Sequence, residues 1–235
     1  SKMAKELKLP LTCIGIPKTV DNDLPITDCS PGFGSVAKYV ATSTLEAGLD
    51  VKSMSGTSTK VFILEVMGRH AGWIAAASAL ASRNKTDPPH IILMPEVPFA
   101  KVKFIDKVKQ TVAKKGFCVV VASEGTRYKN GKFLADSGLL DAFGHKQLGG
   151  VAPVLAQMIS SIGLKNHWAV SDYLQRSAIH ISSKTDLDQA YAVGKKAVEF
   201  ALAGKNAVMP VIKRLGDKPY KWKIESASLS KIANV

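Results

Sequence analysis

Lys18, Asp21 and Asp23 fall within six positions of one polar stretch, Gly15-Ile16-Pro17-Lys18-Thr19-Val20-Asp21-Asn22-Asp23. Two carboxylates spaced i, i+2 on an extended loop can divide the work. One takes a proton from a hydroxyl while the other holds a metal ion. A lysine three residues before the first acid suits an anionic oxygen such as that of phosphate. The same residues also suit a plain polar loop closed by an Asx turn at Asp21-Asn22. Residue types alone do not choose between the two.

Three further groups set charge beside turn residues. Met67-Gly68-Arg69-His70 follows an apolar run. A strand, a glycine and a helix beginning at Arg69 would bring free N–H groups and a guanidinium onto one anion. A Gly-Arg pair at a strand end is also ordinary turn chemistry. Ser123-Glu124-Gly125 ends another apolar run. A carboxylate there suits sugar hydroxyls, and equally a helix N-cap or a surface ion pair. In Asp172-Tyr173-Leu174-Gln175-Arg176-Ser177, Tyr173 and Arg176 stand three apart. They can meet on one phosphate, Tyr through its O–H and Arg through two N–H groups. His145 has no second ligand at metal spacing. Cys13, Cys29 and Cys118 have none either, and read as buried thiols in a reducing compartment.

The elements that must position these residues alternate between strand-like and helix-like patterns. Residues 11–16 read as a buried strand ended by Pro17, whose ring removes a donor and fixes φ. At the carboxyl end of a parallel strand, the loop 17–23 would stand where α/β proteins place their chemistry. Helices are expected over residues 35–48, stopped by Gly48, and over 69–82, 102–115, 151–162 and 186–203. Strands are expected over 60–66, 91–94, 117–122, 168–170 and 207–212, with a hairpin-like excursion at 125–137. Residues 1–10 read as the end of a helix, and 222–235 as a strand followed by a short helix. This alternation predicts an α/β class: mostly parallel sheets with helices on both faces, a three-layer α/β/α arrangement.

Composition narrows the class without naming a function. With 46% hydrophobic and 22% charged residues in 235, the chain resembles an ordinary α/β protein with length for a sizeable core. No apolar run approaches the roughly 18 residues of a membrane span. The start, Ser1-Lys2-Met3-Ala4-Lys5, has no apolar signal-peptide core, so a cytoplasmic location is expected. A net charge of +13 raises the question of nucleic acid. The lysines are spread through helices and turns with no arginine tract or aromatic platform, so affinity for small anions is expected instead.

The stretch at 15–23 resembles the catalytic loop of the phosphofructokinase family, and Glu-Val-Met-Gly-Arg-His-Ala-Gly at 65–72 resembles its sugar-phosphate segment. Lys18 and the Tyr-Leu-Gln-Arg pattern at 173–176 both resemble the pyrophosphate-dependent branch. Bacterial ATP-using members tend to carry His in place of the Tyr. The motifs come in the family's order, and the likeness spans essentially the whole chain. It implies that Asp21 is the general base, and that Asp23 is a second acid supporting Mg²⁺ and the transition state. Thr19 would hydrogen-bond the transferred phosphate or a sugar hydroxyl, and Lys18 would hold pyrophosphate, while Asn22 keeps the turn. Met67, Gly68 and Arg69 would contact fructose 6-phosphate, with Arg69 also near the transferred phosphoryl group. Glu124 would bind sugar hydroxyls, Tyr173 and Arg176 the 6-phosphate, and His70 would pack. Lys60 falls where many relatives carry an arginine that reaches a neighbouring subunit's site. For the second such arginine, Lys165 and His167 are the nearest cations. The segment 144–150 resembles one typical of this branch, a phosphate or hinge contact or a purely structural turn.

Family members bind the phosphate donor on glycine-rich loops ahead of the catalytic loop, and no such turn precedes residue 11. The expectation is therefore a middle-to-late portion of a longer protein, with an acceptor site, an incomplete donor site and little activity by itself. The expected domains are 1–34, the end of a donor-binding domain with the catalytic loop; 35–185, binding fructose 6-phosphate; and 186–235, returning toward the donor domain. The implied reaction is reversible phosphoryl transfer from pyrophosphate to the 1-hydroxyl of fructose 6-phosphate. It would need Mg²⁺ and be carried out in glycolysis or gluconeogenesis by a homo-oligomer, a dimer or tetramer. Rivals are an ATP-dependent member, a user of sedoheptulose 7-phosphate, and a non-catalytic sugar-phosphate-binding module.

Overall fold

A computed structural model describes residues 2–140, 146–148 and 150–232. The helices are α1 (Lys2–Glu6), α2 (Phe33–Met54), α3 (Trp73–Ala77), α4 (Lys101–Lys115), α5 (Val151–Ser160), α6 (Leu174–Ser177) and α7 (Lys184–Leu202). The strands are β1 (Val61–Val66), β2 (Ile91–Leu93), β3 (Cys118–Ser123), β4 (Asp136–Leu140), β5 (Lys146–Leu148), β6 (Asn166–Val170), β7 (Val208–Asp217) and β8 (Tyr220–Ser228). The chain divides into two compact units, residues 1–35 with 182–235, and residues 36–181.

The larger unit is built on a four-stranded sheet, in the order β2-β3-β1-β6, with every pairing parallel. Its two central strands, Val-Phe-Ile-Leu-Glu-Val and Cys-Val-Val-Val-Ala-Ser, are apolar almost without break, as a sheet covered on both faces requires. Alternation sorts their side chains. Val61, Ile63, Cys118, Val120 and Ala122 pack with Phe104 and Val108 of α4 and with Val151, Leu155 and Ile159 of α5. On the opposite face Phe62, Phe117 and Val119 meet Val51 of α2. The result is three layers, helix on sheet on helix. Burying each of these aliphatic side chains contributes about 1.5–3 kcal/mol.

Helix α4 follows its sequence closely. Phe104, Val108 and Thr111 are buried on one stripe, while Lys114 and Lys115 sit in the last turn, where cations favour the dipole. Gly116 closes the helix at φ 84° and returns its N–H to Val112 O at 2.8 Å.

The smaller unit holds an antiparallel hairpin of β7 and β8 beside α7. Met209, Val211 and Ile232 form its core, with Leu24, Ala227 and Leu229 packed against them. Ser183 caps α7 by accepting from Asp186 N–H at 3.5 Å. The Asp186 carboxylate accepts from Gly32 N–H (2.8 Å) and from the Ser35 N–H (3.1 Å) and hydroxyl (2.5 Å), which closes the first turn of α2.

Several expectations are corrected. The run 11–16 is not a buried strand: it makes one parallel bridge, Ile14 to Val208, and Leu11 and Ile16 are more than half exposed. Its backbone bonds run to one edge, from Cys13 and Gly15 to Ala207 and Val208, and among the described residues no other strand pairs with it. Gly48 does not stop α2, which continues to Met54. Its missing Cβ instead lets the helix lie against Pro88. The alanine-rich stretch is helical only from Trp73, as α3 followed by a 3-10 turn at Ser78–Ala81. Residues 69–72 stay outside the helix because Glu96 captures the Gly72 N–H at 2.7 Å and Gly68 turns the chain at φ 127°.

Candidate functional site

The expected site residues fall into two groups, one in each unit. In the smaller unit, the loop 17–23 follows the Ile14 bridge and is anchored behind by Leu24 in the Met209–Val211–Ile232 cluster. Pro17 is buried and Lys18 exposed. Thr19 adopts φ 112°, an outlier for a β-branched residue, of the kind costing about 1–3 kcal/mol and held only by its surroundings. Thr19 Oγ1 accepts from Asp21 N–H at 3.3 Å, a threonine contact that helps close the turn. That bond uses a lone pair of the hydroxyl and not its hydrogen. Asn22 sits at φ 58°, a region asparagine tolerates, and its Oδ1 accepts from Ser30 N–H at 2.8 Å. Asn22 thus holds the turn. Asp21 is half-buried and Asp23 exposed, two carboxylates on a backbone fixed at both ends.

In the larger unit, three expected segments leave neighbouring parallel strands at the same end. Met67-Gly68-Arg69 follows β1, Glu124 follows β3, and Tyr173 to Arg176 follow β6. The register explains their meeting, because Val66 is opposite Ser123 and Glu65 is opposite Val170. Glu124 Oε1 accepts from Gly68 N–H at 3.4 Å, and Ser123 Oγ donates to Gly68 O. A Cβ on Gly125 would collide with the Arg69 carbonyl, so the turns after β1 and β3 lie directly on each other. Glu124 is half-buried at this strand end. Its carboxylate reaches the turn after β1. Arg69 stands in that turn, and the helix begins at Trp73 instead of at the expected Arg69.

Tyr173 is 61% exposed, and the Arg176 guanidinium lies over its ring at 4.4 Å from the centroid. The structure brings these two together, stacked and open to solvent. Lys60 turns its amine to the carbonyl of Ser55, and Lys165 Nζ donates to Ser58 Oγ at 2.9 Å. Of the segment 144–150, Gly144, His145 and Gly149 lie outside the described residues. Among the described residues, no three His, Cys, Asp or Glu side chains gather as a metal cluster.

Two residues with no role expected from sequence stand in the same region. Glu65, 5% exposed, accepts from Ala152 N–H at 2.7 Å at the start of α5. Burial pushes its carboxyl above the usual range, the Ala152 and Val151 N–H groups pull it back, and Glu124 and Asp172 push it up further. Gly150 turns the chain into α5 at φ 95°, and a Cβ there would crowd Pro153. Gln175 is buried at 2% exposure inside the 173–176 turn. A lone acid in a core strand is the signal that could have found Glu65. Nothing in the sequence marks Gln175 as buried.

Comparison with known proteins follows the same lines. A family profile described as Phosphofructokinase matches residues 1–201. The chain is 64% identical, over its whole length, to the pyrophosphate–fructose 6-phosphate 1-phosphotransferase of Halomonas elongata, covering 56% of that protein. It thus spans about half the length of the curated relatives it matches. A solved pyrophosphate-dependent phosphofructokinase from Marinobacter aquaeolei superposes over the whole chain with a TM-score of 0.87 at 60% identity, the chain covering 55% of it. Phosphofructokinase from Saccharomyces cerevisiae shares the fold at a TM-score of 0.71 and 20% identity, matched by 98% of this chain and over 29% of its own. The parallel sheet with its converging strand-end turns, the loop 17–23 and these matches agree, and the chain belongs to the phosphofructokinase family.

Proposed function

We propose that the protein acts in reversible phosphoryl transfer from pyrophosphate to the 1-hydroxyl of fructose 6-phosphate. The observation that supports this most is 64% identity throughout to a protein of that name, in a chain that carries Lys18 and Tyr173. In this reading the larger unit takes the sugar phosphate. Arg176 and Tyr173 hold the 6-phosphate, Glu124 the sugar hydroxyls, and Met67, Gly68 and Arg69 line the turn beside them. The loop 17–23 supplies the chemistry. Asp21 accepts the proton of the attacking hydroxyl, Thr19 donates to a phosphate oxygen, and Lys18 offers its charge to the donor.

Mg²⁺ takes one or two protein carboxylates and fills its shell with water and substrate phosphates. The hard oxygens of the loop fit it, with exposed Asp23 as the ligand. The metal, when bound, neutralises charge on the phosphates being transferred. We further place the protein in the cytoplasm as a homo-oligomer. Incubating the full-length protein with pyrophosphate, fructose 6-phosphate and Mg²⁺ should yield fructose 1,6-bisphosphate. Product formed from ATP and not from pyrophosphate would overturn the donor assignment.

A further inference from the structure

Helix α6 is a single turn of four residues, too short to hold itself in water. It follows Asp172, which sits at φ 38°, and the N-cap Tyr173; Tyr173, Leu174 and Arg176 are exposed. Gln175 is its only buried residue. Both ends of the Gln175 carboxamide are engaged. Oε1 accepts from Met67 N–H at 3.3 Å, and Nε2 donates to Asp172 O at 2.9 Å. The two partners orient the amide without ambiguity, because an N–H can only donate and a carbonyl can only accept. One buried side chain therefore ties the residue after β1 to the second residue after β6. Apolar burial alone would not need an amide here, and a buried amide left half-bonded is costly.

We propose that Gln175 is a positioning residue that holds Tyr173 and Arg176 in register with the Met67-Gly68-Arg69 turn, so that both reach one sugar phosphate. The role rests on the functional reading above. Gln175 touches no reacting atom in it and acts through the two turns. Methionine has nearly its shape but offers no strong donor or acceptor. Glutamate keeps the acceptor for Met67 and can donate to Asp172 O only when protonated. Glu65, Glu124 and Asp172 share this strand end, with Arg69 and Arg176 as the nearby cations, and burial among the three acids raises the carboxyl of a fourth.

The test uses the full-length protein, its Q175M and Q175E variants, and two readouts. In Q175M the KM for fructose 6-phosphate should rise about tenfold or more, while the KM for pyrophosphate stays within about twofold. In Q175E the KM for the sugar phosphate, divided by that of the parent at each pH, should fall as pH is lowered from 8 toward 6. A purely structural defect would move both substrates' KM values and leave that ratio flat. Amide hydrogen exchange at Met67 needs no substrate, and should quicken about tenfold or more in Q175M. Unchanged exchange, or a KM ratio equal to one in a folded Q175M, overturns the proposal. A parent without turnover refutes the functional reading alone, and the exchange result still decides whether Gln175 ties the two turns.

Discussion

Asp21 sits on a backbone held by its neighbours in sequence. Its N–H is taken by Thr19 Oγ1, and Asn22 beside it is locked to Ser30, so the carboxylate projects from a backbone with little freedom. Asp21→Asn should keep this geometry and lose the proton acceptor. The expected result in the full-length protein is a kcat lower by about 10²–10⁴-fold with the KM for fructose 6-phosphate within a few-fold. Steady-state kinetics decide it, and full turnover would remove Asp21 from the mechanism. Glu65 gives a prediction of another kind. Its carboxyl is raised in the folded state, so folding binds a proton that the unfolded chain has lost, and stability falls as pH rises above the ordinary carboxylate range of about 4.3. Glu65→Gln removes that loss while keeping an acceptor for Ala152 N–H. Urea titrations from pH 4 to 8 should show the variant gaining stability relative to the parent as pH rises. A constant difference would contradict the burial argument.

At the level of elements, glycines separate packing from propensity. Gly125 lets the turn after β3 lie on the Arg69 carbonyl, and Gly194 stands in α7 with open space where a Cβ would go. Gly125→Ala should destabilise the protein by about 1–3 kcal/mol and raise the KM for the sugar phosphate, because backbone must move at the Arg69 turn. Gly194→Ala should stabilise it by about 0.5–1 kcal/mol and leave both KM values alone. Thermal melts and kinetics of the pair test the assignment, and equal effects would refute it. The same contrast explains the misread end of α2. Gly48 looked like a stop by propensity, but the helix continues through it because close approach to Pro88 repays the backbone entropy.

For the whole molecule, the 235-residue chain covers 56% of the length of the Halomonas elongata relative. The larger unit closes its own three-layer core, so the turns after β1, β3 and β6 have a scaffold within this sequence. We expect the isolated chain to fold and to bind fructose 6-phosphate weakly, with no more than trace transfer from pyrophosphate. Calorimetry with the sugar phosphate and a sensitive turnover assay would check both parts. Robust transfer by the isolated chain would show that it carries a working donor site.

Much of this protein was legible before any fold was known. Family likeness singled out Asp21, Asp23, Arg69, Glu124, Tyr173 and Arg176 as candidates, while the apolar strands β1 and β3 and the lysine-backed helix α4 follow from local pattern. Those features are set by nearest neighbours along the chain, through periodicity, turn chemistry and side-chain type. The tertiary structure alone decided which apolar runs are covered. Residues 11–16 stay partly exposed because the strand pairs along one edge, with residues 207–208. It also decided that the helix after Arg69 starts late, since a carboxylate from Glu96, distant in sequence, claims the Gly72 N–H. Glu65 and Gln175 became significant for the same physical reason. A polar group's cost and its partners are fixed by what surrounds it in space, and sequence order does not record that.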